Sequence, residues 1–297
     1  MDKNIIVGLG EALWDMLPEG KKIGGAPANF AYHASQFGNE AYVVSAVGHD
    51  ALADEIMETL ENSGLNTEIA RVDFPTGTVK VEIDSKGVPT YDICEGVAWD
   101  NIPFTPHLEE LAKRTTAVCF GSLAQRFVVS HDTIHKFLAA MPCGENVLKI
   151  FDINLRQNYY SKSILAESLK ECNVLKINDD ELLIFNDMFG YGGLELQEKC
   201  RRIIYDFNLK IMIVTCGTKG SYVASADGTF NFEPTPKVEV VDTVGAGDSF
   251  TGAFCAALLA GKSYAEAHKL AVEVSAYVCT CSGAMPKLPE DIVNKIR

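Results

Sequence analysis

The chain of 297 residues carries 26 Lys and Arg against 40 Asp and Glu, a formal net charge of −14. Apolar residues make up 47% and charged residues 22%, the balance of a globular protein with a sizeable core. Such acidity argues against general affinity for nucleic acid or anionic membranes, whose phosphates attract Lys and Arg, but it leaves room for a local anion site. No stretch reaches the roughly 18 to 20 consecutive apolar residues of a membrane span. The opening residues Met1 to Gly8 hold too short an apolar run for a secretory signal, which points to a cytoplasmic protein. Nine cysteines, an odd number, are scattered through apolar runs such as Val118-Cys119-Phe120, as buried thiols of a reducing compartment would be.

In chain order, Ile5 to Leu9 reads as a buried strand, and Glu11 to Lys22 is too short for a crossover helix. Ala28 to Phe37 reads as a helix, Ala41 to Val47 as a strand and Ala51 to Glu61 as a helix. Thr78 to Asp84 then alternates with period two, passes through Ser85-Lys86-Gly87 and resumes near Tyr91, the pattern of a hairpin with one polar face. Further on, strands at Ala117 to Phe120, Val147 to Phe151 and Ile211 to Thr215 alternate with helices at His131 to Ala140, Leu194 to Phe207 and Ser249 to Leu259. This rhythm predicts a mainly parallel sheet with helices on both faces. Residues 1–10, 24–70 and 104–297 form the α/β body in this reading, and 11–23 with 71–103 form a small β lid. The lid's apolar face needs a cover, for which a second copy of the chain is one candidate.

Several short motifs fail on their own chemistry. Gly8-Leu9-Gly10 follows a strand, but Leu13 stands where a dinucleotide fingerprint has its third glycine. Gly261-Lys262-Ser263 follows a helix instead of opening one, and Ala256 occupies the upstream glycine position of a P-loop. Cys279 and Cys281 lack a second Cys/His pair that would complete a zinc set. His131 and His135 are four apart on one helix; with no third ligand evident, they read as a solvated surface pair.

The segment Val241-Asp242-Thr243-Val244-Gly245-Ala246-Gly247-Asp248 carries more. A glycine turn runs into an apolar helix, whose first N–H groups lack intrahelical partners and can cradle an anion. Asp248 beside them is either a plain helix N-cap or a carboxylate aimed at a bound hydroxyl. Gly24-Gly25-Ala26-Pro27-Ala28-Asn29 is a second glycine-to-helix junction, with Pro27 suited to a first turn and Asn29 able to donate and accept together. Standing alone, it reads as a turn and helix cap.

Together, Gly24 to Gly38 and Asp242 to Phe254 resemble both signatures of the ribokinase-like (PfkB) carbohydrate kinases. Asp152-Ile153-Asn154-Leu155-Arg156, Asn178-Asp179-Asp180-Glu181, Thr215-Cys216-Gly217-Thr218-Lys219-Gly220 and Ser282-Gly283-Ala284 are similar to further family segments, in the same order over nearly the whole chain. The resemblance implies a three-layer α/β sandwich with a β-sheet lid, transferring phosphate from MgATP to a sugar hydroxyl. It implies Asp248 as the base, with the backbone N–H groups of Val244 through Asp248, including Gly245, Ala246 and Gly247, as an anion hole. Asn178, Thr215, Gly217, Gly220 and Gly283 would hold the nucleotide, and Glu181 would hold Mg²⁺ through water.

For the sugar, the resemblance implies Asp15, Gly25 and Asn29, with Arg156 either near the phosphates and substrate or in a structural ion pair. Gly10-Glu11-Ala12-Leu13-Trp14-Asp15 is most similar to fructokinases, which makes fructose the expected acceptor and 2-keto-3-deoxygluconate the alternative. Trp14, Tyr91 and Trp99 keep a nucleoside acceptor open. Where some relatives bind a monovalent cation, this chain has Lys287 after Met285-Pro286. Its ammonium either replaces that cation or points to solvent. Dimerisation through the lid is a family-level expectation. A non-catalytic sugar- or nucleotide-binding regulator on the same fold is the reading from another class.

Overall fold

The computed structural model describes residues 3–17, 20–83 and 89–296. β1 (Ile5–Leu9) leads through two short strands, β2 (Leu13–Leu17) and β3 (Gly20–Gly24), into α1 (Ala26–Ser35). Next come β4 (Glu40–Val47), α2 (Ala51–Asn62), β5 (Asn66–Arg71), β6 (Gly77–Ile83) and β7 (Pro89–Ile93). The middle runs α3 (Pro106–Arg114), β8 (Ala117–Phe120), α4 (Val128–Ala140), β9 (Leu148–Asp152), α5 (Lys162–Glu171), β10 (Val174–Asn178) and α6 (Asp179–Phe189). The chain ends with α7 (Leu196–Phe207), β11 (Ile211–Thr215), β12 (Ser221–Ser225), β13 (Phe230–Glu233), α8 (Ala246–Leu259), α9 (Tyr264–Cys279) and the short α10 (Glu290–Val293).

One nine-stranded sheet has the order β13-β12-β11-β10-β9-β8-β1-β4-β5. From β11 to β5 the pairing is parallel, while β12 and β13 add an antiparallel edge. Successive side chains of a strand point to opposite faces. Val7, Leu9, Phe120 and Phe151 therefore meet Leu111, Phe137, Leu169, Phe185 and Ile203 from α3 to α7 on one side. Ile6, Cys119, Ile150 and Val174 meet Phe30 of α1, Phe250 and Phe254 of α8 and Leu270 of α9 on the other. Because α8 lies between the sheet and its helical neighbours, it is buried from Ser249 through Ala257. A helix apolar on every side suits that position.

β3-β2-β6-β7 form a separate four-stranded sheet. Leu13, Val79 and Ile93 are buried on it and face the cavity below. Trp14 instead packs toward α2, its indole N–H donating to Leu52 O at 3.0 Å. The expected hairpin turn at Asp84 and Ser85-Lys86-Gly87, and the side chain of Tyr91, lie outside the described residues. No helix among the described residues is long and apolar enough to cross a membrane.

Candidate active site

Ligands of open parallel sheets bind beyond the carboxyl ends of the strands. Here the segments following β1, β9, β10 and β11, roofed by the small sheet, enclose a cavity of about 840 Å³. Asp15, Gly25, Asn29, Arg156, Asn178, Glu181, Thr215, Gly245, Gly247 and Asp248 all line it. Ala246, Gly217, Gly220 and Gly283 are not among the lining residues. Gly220 has a packing reason instead: a side chain there would put its Cβ 2.5 Å from Glu233 O on β13.

Fewer of the helix-start amides are open than the sequence suggests. Val244 N–H is already taken by Asp242 Oδ1 at 3.1 Å, and Ala246 N–H donates to Thr243 O at 3.3 Å. The amides of Gly245, Gly247 and Asp248 keep no protein partner among the described residues. Gly245 caps α8 at φ +76°, and a Cβ there would lie 2.6 Å from that of Ala284. That tight contact is braced from α1. His33, fully buried, donates from Nε2 to Ala284 O at 2.8 Å, and Gln36 Oε1 accepts Leu288 N–H at 2.7 Å. Burial lowers the His33 pKa to about 4, so its ring is neutral. The Asp242 carboxylate ties the same region together, accepting Gly283 N–H at 3.1 Å and lying 4.0 Å from Lys22 on the lid.

Asp248 sits in the first turn of α8, and the N-cap is Gly245 without a side-chain bond. The plain-cap reading is therefore replaced: the Asp248 carboxylate accepts from Asn29 Nδ2 at 2.8 Å, across the cavity floor from α1. Burial, reinforced by the charge of Asp152, raises its pKa to about 6 against the pull of Asn29, Lys176 and Arg156. A second carboxylate, Glu11, is only 4% exposed and accepts Ala26 N–H at 3.3 Å. Burial and the nearby Asp248 raise Glu11 to about 7. Gly25, at φ +121°, passes so close that a Cβ would meet Glu11 O at 2.4 Å. Burial also raises Asp15 on the lid strand β2.

Beneath α8 lies an ion pair that motif reading did not single out. The sheet register sets Lys176 of β10 directly beside Asp152 of β9, and Lys176 Nζ contacts both carboxylate oxygens at 3.0 and 2.9 Å. Both are nearly buried, and Nζ lies 3.0 Å from where Gly247 would carry a Cβ. Asp152 figures in the sequence reading only as part of a segment, and Glu11 likewise. The available signal for Lys176 is a lone lysine inside the apolar run Val174 to Ile177.

Asn178 and Glu181 form a reciprocal cap on α6. Asn178 Oδ1 accepts Glu181 N–H at 2.8 Å, and Glu181 Oε2 accepts Asn178 N–H at 3.0 Å. Glu181 Oε1 also accepts Leu155 N–H at 3.0 Å, and burial raises its pKa. Each oxygen retains a free lone pair, so the group fits a hydrated Mg²⁺ held through water better than direct ligation. Arg156 is exposed to the cavity, donates to Leu155 O at 3.2 Å and makes no ion pair among the described residues. Lys287 is exposed and lines a separate hollow with Gln36 and Glu290, outside the Asp248 cavity, a position that favours the solvent-facing alternative. Trp14 and Trp99 are packed into the protein and offer no stacking face.

A carboxylate beside open helix-start amides, in a cavity at the carboxyl ends of a parallel sheet and covered by a small second sheet, fits the ribokinase-like α/β class. Within that class the chain belongs to the PfkB family: it matches the pfkB family carbohydrate kinase profile over residues 19–291. An ATP-dependent 6-phosphofructokinase from Thermoanaerobacterium thermosaccharolyticum is 29% identical over 281 residues, spanning 91% of this chain and 83% of that protein. A fructokinase from Klebsiella pneumoniae is 27% identical over 300 residues, 95% of each chain. The crystal structure of a fructokinase with bound ATP from Xylella fastidiosa superposes with a TM-score of 0.85 at 20% identity, covering 99% of this chain and 98% of that one.

Proposed function

We propose that this sugar kinase transfers the γ-phosphate of MgATP to a hydroxyl of a neutral sugar, with fructose the preferred acceptor. The carrying observation is Asp248, held by Asn29 at 2.8 Å at the start of α8, in one cavity with Asp15 and Glu11. At a pKa of about 6 the carboxylate is ionised near neutral pH yet basic enough to accept the hydroxyl proton as the oxygen attacks. The amides of Gly245, Gly247 and Asp248 stabilise negative charge building on the transferring group; each such donor supplies about 10²–10³ in rate. Asn29, Asp15 and Glu11 orient the sugar hydroxyls, and the lid excludes water that would otherwise compete. Thr215 and Asn178 line the nucleotide side. Glu181 would hold a hydrated Mg²⁺ through water, and that ion would supply neutralisation of phosphate charge.

Among the described residues lining this cavity, Glu11, Asp15, Asp152, Glu181 and Asp248 confront only Arg156 and the already paired Lys176. That balance disfavours an acidic acceptor. Arg156, without a carboxylate partner among the described residues, favours the second reading, a sugar acid such as 2-keto-3-deoxygluconate or a sugar phosphate. ATP consumption across fructose, fructose 6-phosphate, 2-keto-3-deoxygluconate, ribose and adenosine separates them. Fructose ranking below another acceptor overturns the substrate, and no consumption with any sugar favours a non-catalytic binder. The reading includes a cytoplasmic location, consistent with nine free thiols, and a homodimer through the lid. A monomer in sedimentation contradicts the dimer.

A further inference from the structure

Helices α4 and α5 pack side by side. Their facing surfaces carry two pairs at a spacing of four, His131 with His135 and Glu167 with Glu171. That spacing places each pair on one helix face. His131 Nε2 lies 3.0 Å from Glu167 Oε2, and His135 Nδ1 lies 3.0 Å from Glu171 Oε1. The imidazole centroids are 4.3 Å apart. One potential ligand atom from each of His131, His135 and Glu167 lies within 4.8 Å of the other two. The third ligand absent from the sequence pattern is thus supplied by the neighbouring helix.

The fixed orientation of the His135 ring supplies a second argument. The Gln125 amide group donates to Gly121 O at 2.8 Å and to Ser168 Oγ at 2.9 Å, which fixes its Oε1 toward His135 Nε2 at 3.2 Å. Nε2 is therefore the nitrogen engaged with Gln125, and Nδ1 is the nitrogen that faces the carboxylates of α5. A metal-ligating histidine commonly has this arrangement, one nitrogen donating to a fixed acceptor while the other faces the ion. Glu171 Oε2, moreover, is buried without a hydrogen-bond partner.

We propose that His131, His135 and Glu167, with Glu171 alongside, bind a divalent transition-metal ion of the Zn²⁺ class between α4 and α5. Imidazole and carboxylate donors suit Zn²⁺, whereas Mg²⁺ prefers an all-oxygen shell and would not compete. None of the four side chains lines the kinase cavity, so this site is separate from the reaction centre.

The test uses full-length protein treated with EDTA, in a Cys143→Ser background that removes the exposed thiol. Calorimetric titration with Zn²⁺ should give one ion per chain and a rise in Tm that Mg²⁺ does not reproduce. His131→Ala and Glu167→Gln should each weaken binding at least about tenfold and abolish the Tm rise. Bound Co²⁺ should show no thiolate charge-transfer band. The proposal is overturned by absent saturable Zn²⁺ binding, by unchanged affinity in both variants, or by a thiolate spectrum. Equal melting of parent and variants in EDTA separates lost metal from lost fold.

Discussion

Replacing Asp248 by Asn tests the base and the burial of its charge together, and the two effects have opposite signs. The amide keeps the side chain's volume, and its remaining oxygen can still accept from Asn29, now 2.8 Å away. It cannot take a proton, so turnover should fall by about 10²- to 10⁴-fold while ATP still binds. Stability should rise. Burial and Asp152 lift the Asp248 pKa from 3.8 to about 6, so the folded state holds this proton more tightly than the unfolded chain. Below about pH 4 both states are protonated and the group is neutral toward stability. As pH climbs through about 6 its ionisation increasingly opposes folding, and the penalty is constant above that.

A shift of this size corresponds to at most about 3 kcal/mol at neutral pH, with cavity water at the partly exposed carboxylate reducing it. The Asn variant escapes that penalty. Urea unfolding at about pH 7.5 should find it more stable than the parent, with the gap shrinking at about pH 4.5. Coupled ATP consumption measures turnover on the same samples. Turnover retained within about threefold removes Asp248 as the base. A variant less stable at the higher pH shows that Lys176 and Arg156 outweigh burial, which reverses the assigned sign.

Three further outcomes follow from the same geometry. The rate profile in kcat/KM should bend on the acid side near pH 6, where Asp248 protonates, and Asp152→Asn should move the bend lower by removing a neighbouring negative charge; a flat profile to about pH 5 contradicts the Asp248 assignment. Lys176→Met leaves Asp152 buried and unpaired and should cost about 3–5 kcal/mol in urea unfolding. The double variant with Asp152→Asn should cost less than that single change, and an additive loss refutes the pairing. Gly245→Ala combines φ +76° with a Cβ 2.6 Å from Ala284, so turnover should drop about 100-fold as the amides shift; near-normal turnover shows that the hole tolerates displacement.

The two glycine junctions were legible because each contains its chemistry in a few consecutive residues: a turn, a helix start and one polar side chain. Strands such as Ile5–Leu9 and Ile211–Thr215 were legible because their apolar runs are unbroken. β10 was not, since Lys176 interrupts its run, and the reason a lysine is tolerated there is Asp152 on the adjacent strand. Glu11 and the His131–Glu167 contact were hidden in the same way, their partners being assigned only by tertiary register. The anion hole was overcounted because a local pattern shows which amides begin a helix but not that Asp242 turns back onto Val244.

These hidden partners also change what the acidic composition means. The charge of −14 leaves nucleotide binding possible through local donors and Mg²⁺. Within the cavity, however, acidity has an active part. Burial, with Asp152 adding to it, raises Asp248 to about 6, and burial with Asp248 adding to it raises Glu11 to about 7. An isolated aspartate near its ordinary value would be ionised but weakly basic. Burial, reinforced by the charge of Asp152, strengthens the proposed base until its protonation lies close to neutral pH, and Lys176 and Arg156 keep it from remaining protonated there. The strength of the proposed base is therefore set by burial and Asp152 together, which is why a substitution at Asp152 should move the pH profile although Asp152 is not the group proposed to take the proton.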